Sequence, residues 1–255
     1  MRRLIDILAP LALVVVLLAG WEIACRALAV PVYLLPAPSA VWVSLLQDWP
    51  ALASAAWTTL SMALTALAVA SVCACALAAL GGLSPLIEKA IQPVAVTIQV
   101  TPVIAIAPLV MIWTGLDHPQ RAIIVLATIV AFFPIYSGAA TGLRAADPDL
   151  KRLFALYGAD RWQSLLRLRL PSAIPALVEG HKVATALAVI GAVVAEFVAG
   201  SGGAQGLAWR IIESANRLQT ARVFAALFTL AVMAALLYAT VDILERRILA
   251  WWRGR

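Results

Sequence analysis

Residues 55–80 read AAWTTLSMALTALAVASVCACALAAL and contain no charged side chain. A helix that crosses the hydrocarbon core of a bilayer, about 30 Å thick, needs about 20 consecutive apolar residues. This run exceeds that length. It ends at Gly81-Gly82, followed by the turn Ser84-Pro85 and the charged residues Glu88 and Lys89. It reads as a membrane-spanning helix, and similar apolar runs recur on either side of it, at about 4–26, 91–113, 121–143, 174–199 and 223–244. Together they predict an all-α membrane protein of about six spans, with residues 1–255 forming a single domain.

Composition supports the same conclusion. The chain has 255 residues, 64% of them hydrophobic and 13% charged. A soluble domain carries about 25% charged residues because its surface must meet water. Here the apolar surface must face lipid, where every backbone polar group has to be satisfied internally. The formal charge of +6 is read as an excess of Lys and Arg in cytoplasmic loops rather than as a nucleic-acid footprint. If the N-terminus is cytoplasmic and the spans alternate, Arg26, Arg121, Arg210, Arg217 and Arg222 are external, which is five of the 19 Lys and Arg. The positive-inside rule predicts this asymmetry. Both termini are therefore expected in the cytoplasm. Cys25, Cys73 and Cys75 lie in or beside apolar runs and read as packing residues, not as a disulfide or metal set.

Between the runs, the chain shows several local signals. The first run is too long for a signal-peptide core, so it is read as an uncleaved span despite the small residues Ala27-Leu28-Ala29 beyond it. Pro31 to Pro50 is a connector with a short interfacial helix expected to carry Trp42 and Trp49. The run 91–113 is interrupted by Pro93, Pro102 and Pro108. Gly138-Ala139-Ala140-Thr141-Gly142 is a GxxxG pattern suited to close helix approach. His181 and Lys182 are expected at the cytoplasmic edge, where a long side chain reaches water by snorkelling. Gly202-Gly203-Ala204-Gln205-Gly206 reads as an external turn, too short for a nucleotide loop.

From Arg144 to Leu170 charge becomes dense. Asp147-Pro148-Asp149 is a helix start, with an N-cap acid, a proline at the first helical position and a second acid near the positive helix end. A short helix is expected from about Pro148 to Tyr157, stopped by Gly158, which takes positive φ at little cost. A second start at Asp160 opens another short helix, expected to end before Pro171. Leu150, Leu153, Phe154 and Tyr157 recur at helical spacing beside Lys151, Arg152 and Arg161. The loop 144–171 thus reads either as an interfacial segment on anionic lipid or as a docking knob for a soluble partner.

Gly158-Ala159-Asp160-Arg161-Trp162-Gln163 through Leu168-Arg169-Leu170-Pro171 resembles the EAA loop of binding-protein-dependent ABC importer permeases. That pattern has Glu-Ala-Ala, a glycine four residues after the last alanine, and Ile-x-Leu-Pro beginning ten residues beyond. Gly158, Leu170 and Pro171 match in register, and Leu168 replaces the isoleucine. Arg152, Leu153 and Phe154 occupy the Glu-Ala-Ala positions and depart from the pattern. Leu35-Pro36-Ala37-Pro38-Ser39-Ala40-Val41, Thr101-Pro102 to Pro108-Leu109, and Val193-Val194-Ala195-Glu196-Phe197 resemble permeases for sulfonates, taurine, nitrate and related small solutes.

The resemblance implies a type I importer permease of the bacterial inner membrane, working by alternating access between outward- and inward-open states. It implies a loop that docks on a cytoplasmic ATPase, a substrate-binding protein outside, and a pathway formed by two permease copies, read as a homodimer. The ATPase-coupling residues would be Lys151, Arg152, Leu153, Phe154, Tyr157, Gly158, Ala159, Asp160, Arg161, Trp162, Leu170 and Pro171. No cofactor is expected on this chain. ATP and magnesium are assigned to the ATPase, because no lysine here follows a glycine in a phosphate-binding loop.

Gln99, Thr101, Ser137 and Glu196 are polar groups in apolar runs and candidates for the pathway or its gating. An intramembrane carboxylate faces a bundle interior, a partner or water, so Glu196 is equally readable as a structural hydrogen bond to a neighbouring helix. Glu22 reads as structural or interfacial. His118 stands without a converging metal set. The rival functions are an ion-coupled secondary transporter, which needs ion sites in the spans, and a membrane enzyme, for which no nucleophile–base pair is evident. The cargo that the resemblance implies is a small, anionic solute such as a sulfonate, taurine or nitrate.

Overall fold

The computed structural model describes residues 2–199 and 204–254, with side chains described from residue 12 to 199 and from 204 to 252. Among the described residues there are helices and turns and no strand. The helices are α1 (Arg2–Ala27), α2 (Pro38–Gln47), α3 (Trp49–Leu83), α4 (Pro85–Val100), α5 (Val103–Thr114), α6 (Pro119–Arg144), α7 (Pro148–Leu156), α8 (Arg161–Ser164), α9 (Leu170–Ala199), α10 (Leu207–Asn216) and α11 (Thr220–Arg253), with a π segment at Leu165–Arg169 between α8 and α9. Among the described residues, four stretches are each long and apolar enough to cross a membrane: α3, α6, the run Arg161–Ala199, and Thr220–Trp252 in α11.

The third apolar run, expected as one span at 91–113, is instead two helices bent by 100° at Thr101-Pro102. Pro102 has no N–H to continue the ladder, and its ring drives the preceding residue out of the helical region. Thr101 is accordingly extended, at φ −68° and ψ 125°. Pro93 and Pro108, expected to break the same run, lie inside α4 and α5. The expected first span falls on α1, whose residues 2–11 lie outside the described side chains. Trp42 is on α2 as expected, but Trp49 opens α3.

Pro171 does not end a helix. The second loop helix and the fifth apolar run, expected to be separate, form one continuous 39-residue helical run, Arg161–Ala199. Just ahead of the proline, the π segment pairs the Leu170 N–H with the Leu165 carbonyl, one residue wider than an α turn. That wider turn makes room for a ring that would otherwise meet the carbonyl four residues back.

α3, α6 and α9 form the centre. Ala66, Ala70, Ala74 and Ala78 make a buried stripe along α3, the last three packing in one core cluster with Ala131 and Ile135 of α6. α6 and α9 cross with their backbones nearly touching. A Cβ on Gly138 would sit 2.5 Å from the Ala176 carbonyl oxygen, one on Gly142 2.7 Å from the Ala173 Cα, and one on Gly180 2.6 Å from the Pro134 carbonyl oxygen. The GxxxG reading therefore describes a real crossing, and it extends to glycines on the partner helix.

α11 is held to α9 by charge. Lys182 is ion-paired with Asp242, and with Glu245 at 3.0 Å, while Arg246 pairs with Asp242 at 2.7 Å. His181 lies 3.0 Å from Ser71 Oγ on α3 and 2.8 Å from the Leu177 carbonyl. Each of these residues, expected to snorkel, takes a partner on another helix. Both make contacts between helices, which satisfy a polar group in an apolar bundle as water would elsewhere.

Candidate functional site

Two polar constructions stand at opposite ends of the bundle. At one end α7 and α8 form a knob. Asp147 caps α7, its carboxylate accepting the Asp149 N–H at 2.7 Å. Gly158 stops the chain with φ +69°. Asp160 then opens α8 through a reciprocal capping box: its carboxylate accepts the Gln163 N–H at 2.7 Å, and the Gln163 side chain accepts the Asp160 N–H at 3.1 Å. The starts and stop read from sequence are all present, with α7 ending at Leu156.

The knob buries none of its α7 side chains. Leu153, Leu156 (84% exposed), Tyr157 (83% exposed) and Trp162 present apolar surface outward. Beside them is an open cleft of about 300 Å³ lined by Leu153, Phe154, Tyr157, Ala159, Gln163 and Arg167. Phe154 and Ala159 are half-buried, Arg161 and Asp160 exposed. Leu156 escapes a reading of the sequence because it falls outside the Leu150–Leu153–Phe154–Tyr157 spacing.

Some residues of the loop reach back instead. Lys151 donates from Nζ to the Arg144 carbonyl at 3.0 Å, whereas Arg152 stays exposed and pairs with Asp149 on its own helix at 3.1 Å. Arg169 donates from Nε to the Leu143 carbonyl at 3.2 Å and from Nη1 to the Gly82 carbonyl. Leu170 and Pro171 lie where the π segment passes into α9, and the Pro171 carbonyl accepts from Trp252 Nε1 of α11 at 3.0 Å. Arg169 lies in the segment that carries the resemblance but outside the residues expected to couple to the ATPase. Its partners lie 26 and 87 residues away, so no local signal marks it.

At the other end Glu196 is 2% exposed and holds the start of α10. Its Oε1 accepts the Trp209 N–H at 3.2 Å, and its Oε2 accepts the Thr59 hydroxyl at 3.2 Å. Thr59 Oγ1 in turn accepts the Leu207 N–H at 2.9 Å. A carboxylate against the unpaired N–H groups of a helix start satisfies donors that have no intrahelical partner. Gly206, the residue before α10, lies so close that any Cβ there would overlap Glu196 Oε1 and lie 2.5 Å from Thr59 Oγ1. Gly206 is thus a contact surface for Glu196 rather than a free turn residue, while 200–203 of the expected Gly-rich turn lie outside the described residues.

Glu22 does the same for α2. It accepts the Ser39 N–H at 3.0 Å and the Ser39 hydroxyl at 2.8 Å, and is also bonded to Arg26. Near α10, Arg222 pairs with Asp48 at 2.8 Å, and Arg210 and Arg217 both pair with Glu213.

The four polar pathway candidates are not brought together. Gln99 and Thr101 flank the 100° elbow, Gln99 exposed and Thr101 half-buried with its hydroxyl donating to the Thr97 carbonyl at 2.7 Å. Ser137 is half-buried on α6. Glu196 is enclosed behind α10. Among the described residues no group of three or more His, Cys, Asp or Glu is placed to hold a metal ion.

The sequence pattern of the family described as "Binding-protein-dependent transport system inner membrane component" matches residues 75–250. A probable ABC transporter permease protein of Haemophilus influenzae is 32% identical over 245 residues, 96% of this chain and 98% of that protein. The formylaminopyrimidine transport permease protein of Halalkalibacterium halodurans is 30% identical over 252 residues, 98% of each. The riboflavin transport system permease protein of Chloroflexus aurantiacus is 35% identical over 165 residues, 65% of this chain and 60% of that one. Other relatives are named for aliphatic sulfonates, taurine and nitrate.

Proposed function

The chain belongs to the family of inner membrane components of binding-protein-dependent transport systems, and from that premise we propose that it is the permease of an ATP-driven importer whose ATPase docks on the α7–α8 knob. As a member of that family it is a multi-pass membrane protein and a transport subunit rather than an enzyme. The observation that carries the docking assignment is the apolar outward surface of Leu153, Leu156, Tyr157 and Trp162 on a rigidly capped knob. Such a surface on a polar loop fits a groove in a soluble partner.

In this reading the knob end faces the cytoplasm, in line with the charge asymmetry, and both termini lie there. ATP and magnesium sit on the separate ATPase. A substrate-binding protein delivers the solute at the α10 end, and two copies of the chain enclose the path. Broken helices at membrane depth are tolerated where protein or a wet cavity covers them. The α4–α5 elbow is therefore assigned to the pathway, with Gln99 and Thr101 on it and Ser137 behind. Glu196 acts on the pathway only through α10.

The cargo is proposed to be a small solute of the sulfonate, taurine or nitrate type. The relatives named for riboflavin and formylaminopyrimidine favour a second class, a neutral heteroaromatic compound. Melting the partner binding protein with taurine, an alkanesulfonate, nitrate, riboflavin and formylaminopyrimidine separates these. A shift with the last two alone removes the anionic assignment.

Gly158→Trp tests the docking. Outside glycine a φ of +69° is strained by about 1–2 kcal/mol, while nothing lies within 4 Å of a Cβ there, so the change reshapes the knob without touching the bundle. We expect the ATPase to co-purify at least tenfold less, with hydrolysis no longer stimulated in liposomes. Unaltered hydrolysis and uptake would refute the docking assignment.

A further inference from the structure

Most of the knob faces outward, but Lys151 on it and Arg169 just beyond it reach back to helix ends of the bundle. Arg169 bridges two helix ends at once, donating to the carbonyls of Gly82 in the last turn of α3 and Leu143 in the last turn of α6. Lys151 donates to the Arg144 carbonyl, the final residue of α6, and the Arg144 guanidinium pairs with Glu88 at the start of α4. The last carbonyls of a helix have no intrahelical donors, and they carry the negative end of the helix dipole. A guanidinium, planar with donors in a fixed fork, can hold two such carbonyls in one geometry; an ammonium acts as a single point.

The local backbone is built to aim this side chain. Arg169 is the last residue of the π segment, where the extra residue in the turn rotates the side chains that follow relative to those of α8. Gly82 leaves room for the approach: a Cβ there would lie 3.1 Å from a Leu165 methyl and 3.3 Å from a Leu143 methyl, with Arg169 Nη1 at 4.0 Å.

Covalent continuity matters for what this contact does. α9 continues the knob directly, and α6 reaches α7 through residues 145–147. α3 is joined to the knob by neither route. Its end meets the loop through the Arg169 bond and the packing around Gly82.

We propose that Arg169 is a positioning residue that carries displacement of the knob to the end of α3, and secondarily to α6, so that the bundle moves with the knob. This rests on the ATPase docking proposed above. On that reading, removing the guanidinium weakens the link from the knob to α3, leaving only the packing around Gly82, while the ATPase stays bound and able to hydrolyse ATP.

The test uses the permease assembled with its ATPase in lipid nanodiscs, followed by hydrogen exchange with and without ATP, magnesium and vanadate. In the unaltered complex, trapping is expected to change exchange both in the knob, 148–164, and at the end of α3, 78–83. In Arg169→Gln the change in the knob is expected to persist, and that at 78–83 to fall at least fivefold. The response of 140–144 in α6 should fall less. Arg169→Lys, which keeps one donor group, is expected to restore part of the α3 response. Basal ATP hydrolysis should stay within twofold in both.

An undiminished α3 response in Arg169→Gln overturns the proposal. So does loss of the knob response together with the α3 response, or failure of both variants to assemble with the ATPase, since either marks a structural residue. If the unaltered complex shows no change at 148–164 on binding the ATPase, the docking reading itself is what fails.

Discussion

Gly142→Leu is expected to leave little folded protein in the membrane. At Gly142 the first side-chain atom already meets the Ala173 backbone, with the Cα at 2.7 Å and the carbonyl oxygen at 2.8 Å. Neighbouring side chains can rotate away from an intruder, but a helix backbone has to move as a whole. Overpacking costs about 1–3 kcal/mol where side chains give way, and more where they cannot. The same clash recurs at Gly138 and Gly180, so α6 and α9 cannot separate locally. In detergent, Gly142→Leu should aggregate or melt far below the unaltered chain. Gly20→Leu is the control, because nothing lies within 4 Å of a Cβ there. Equal melting of the two variants would refute the account of the crossing.

Glu196→Leu is expected to release α10. The Trp209 N–H and the Thr59 hydroxyl lose their acceptor within a buried site, and each buried group left unpaired costs about 1–3 kcal/mol. Glu196→Gln keeps an oxygen for the Trp209 N–H but turns an amide donor toward the Thr59 hydroxyl, so an intermediate effect is expected. Gly206→Ala should act in the same direction from the other side, by pushing its methyl into the carboxylate. Limited proteolysis within 204–216 measures this directly. Protection of α10 in Glu196→Leu equal to the unaltered chain would show that the carboxylate does not hold the helix.

Much of this is legible in the sequence because it is local. Apolar runs mark helices whatever their partners, which is why α3, α6 and α11 appear near their expected places. Asp147, Gly158 and Asp160 act on backbone within three residues, so spacing alone reveals the knob. Gly138 and Gly142 carry a pattern whose only requirement is absence of a side chain.

What stays hidden depends on distance or on choice among equals. Pro93, Pro102 and Pro108 look alike in sequence, yet the chain bends at Pro102. Pro171 reads as a stop, because a π turn that spares it leaves no mark in composition. Glu196, Lys182 and Arg169 each take partners set by tertiary packing: Thr59, 137 residues from Glu196; Asp242, 60 residues from Lys182; and Gly82, 87 residues from Arg169. An intramembrane charge announces that it needs a partner and is silent about which.

The π segment at Leu165–Arg169 also bears on how this chain tolerates length change. Each residue added to or removed from a helix turns everything beyond it by about 100°. Between Leu170 and Glu196 a single deletion would swing the carboxylate away from α10, so that stretch is intolerant of a change in residue number. At Leu165–Arg169 the turn already holds one residue more than an α-helix requires; losing it would keep the flanking helices in register but return the Pro171 ring to the carbonyl four residues back. The run from Arg161 to Ala199 therefore has one place where its register can absorb a lost residue, at the expense of the room made for Pro171, and it is the place where the knob meets the bundle.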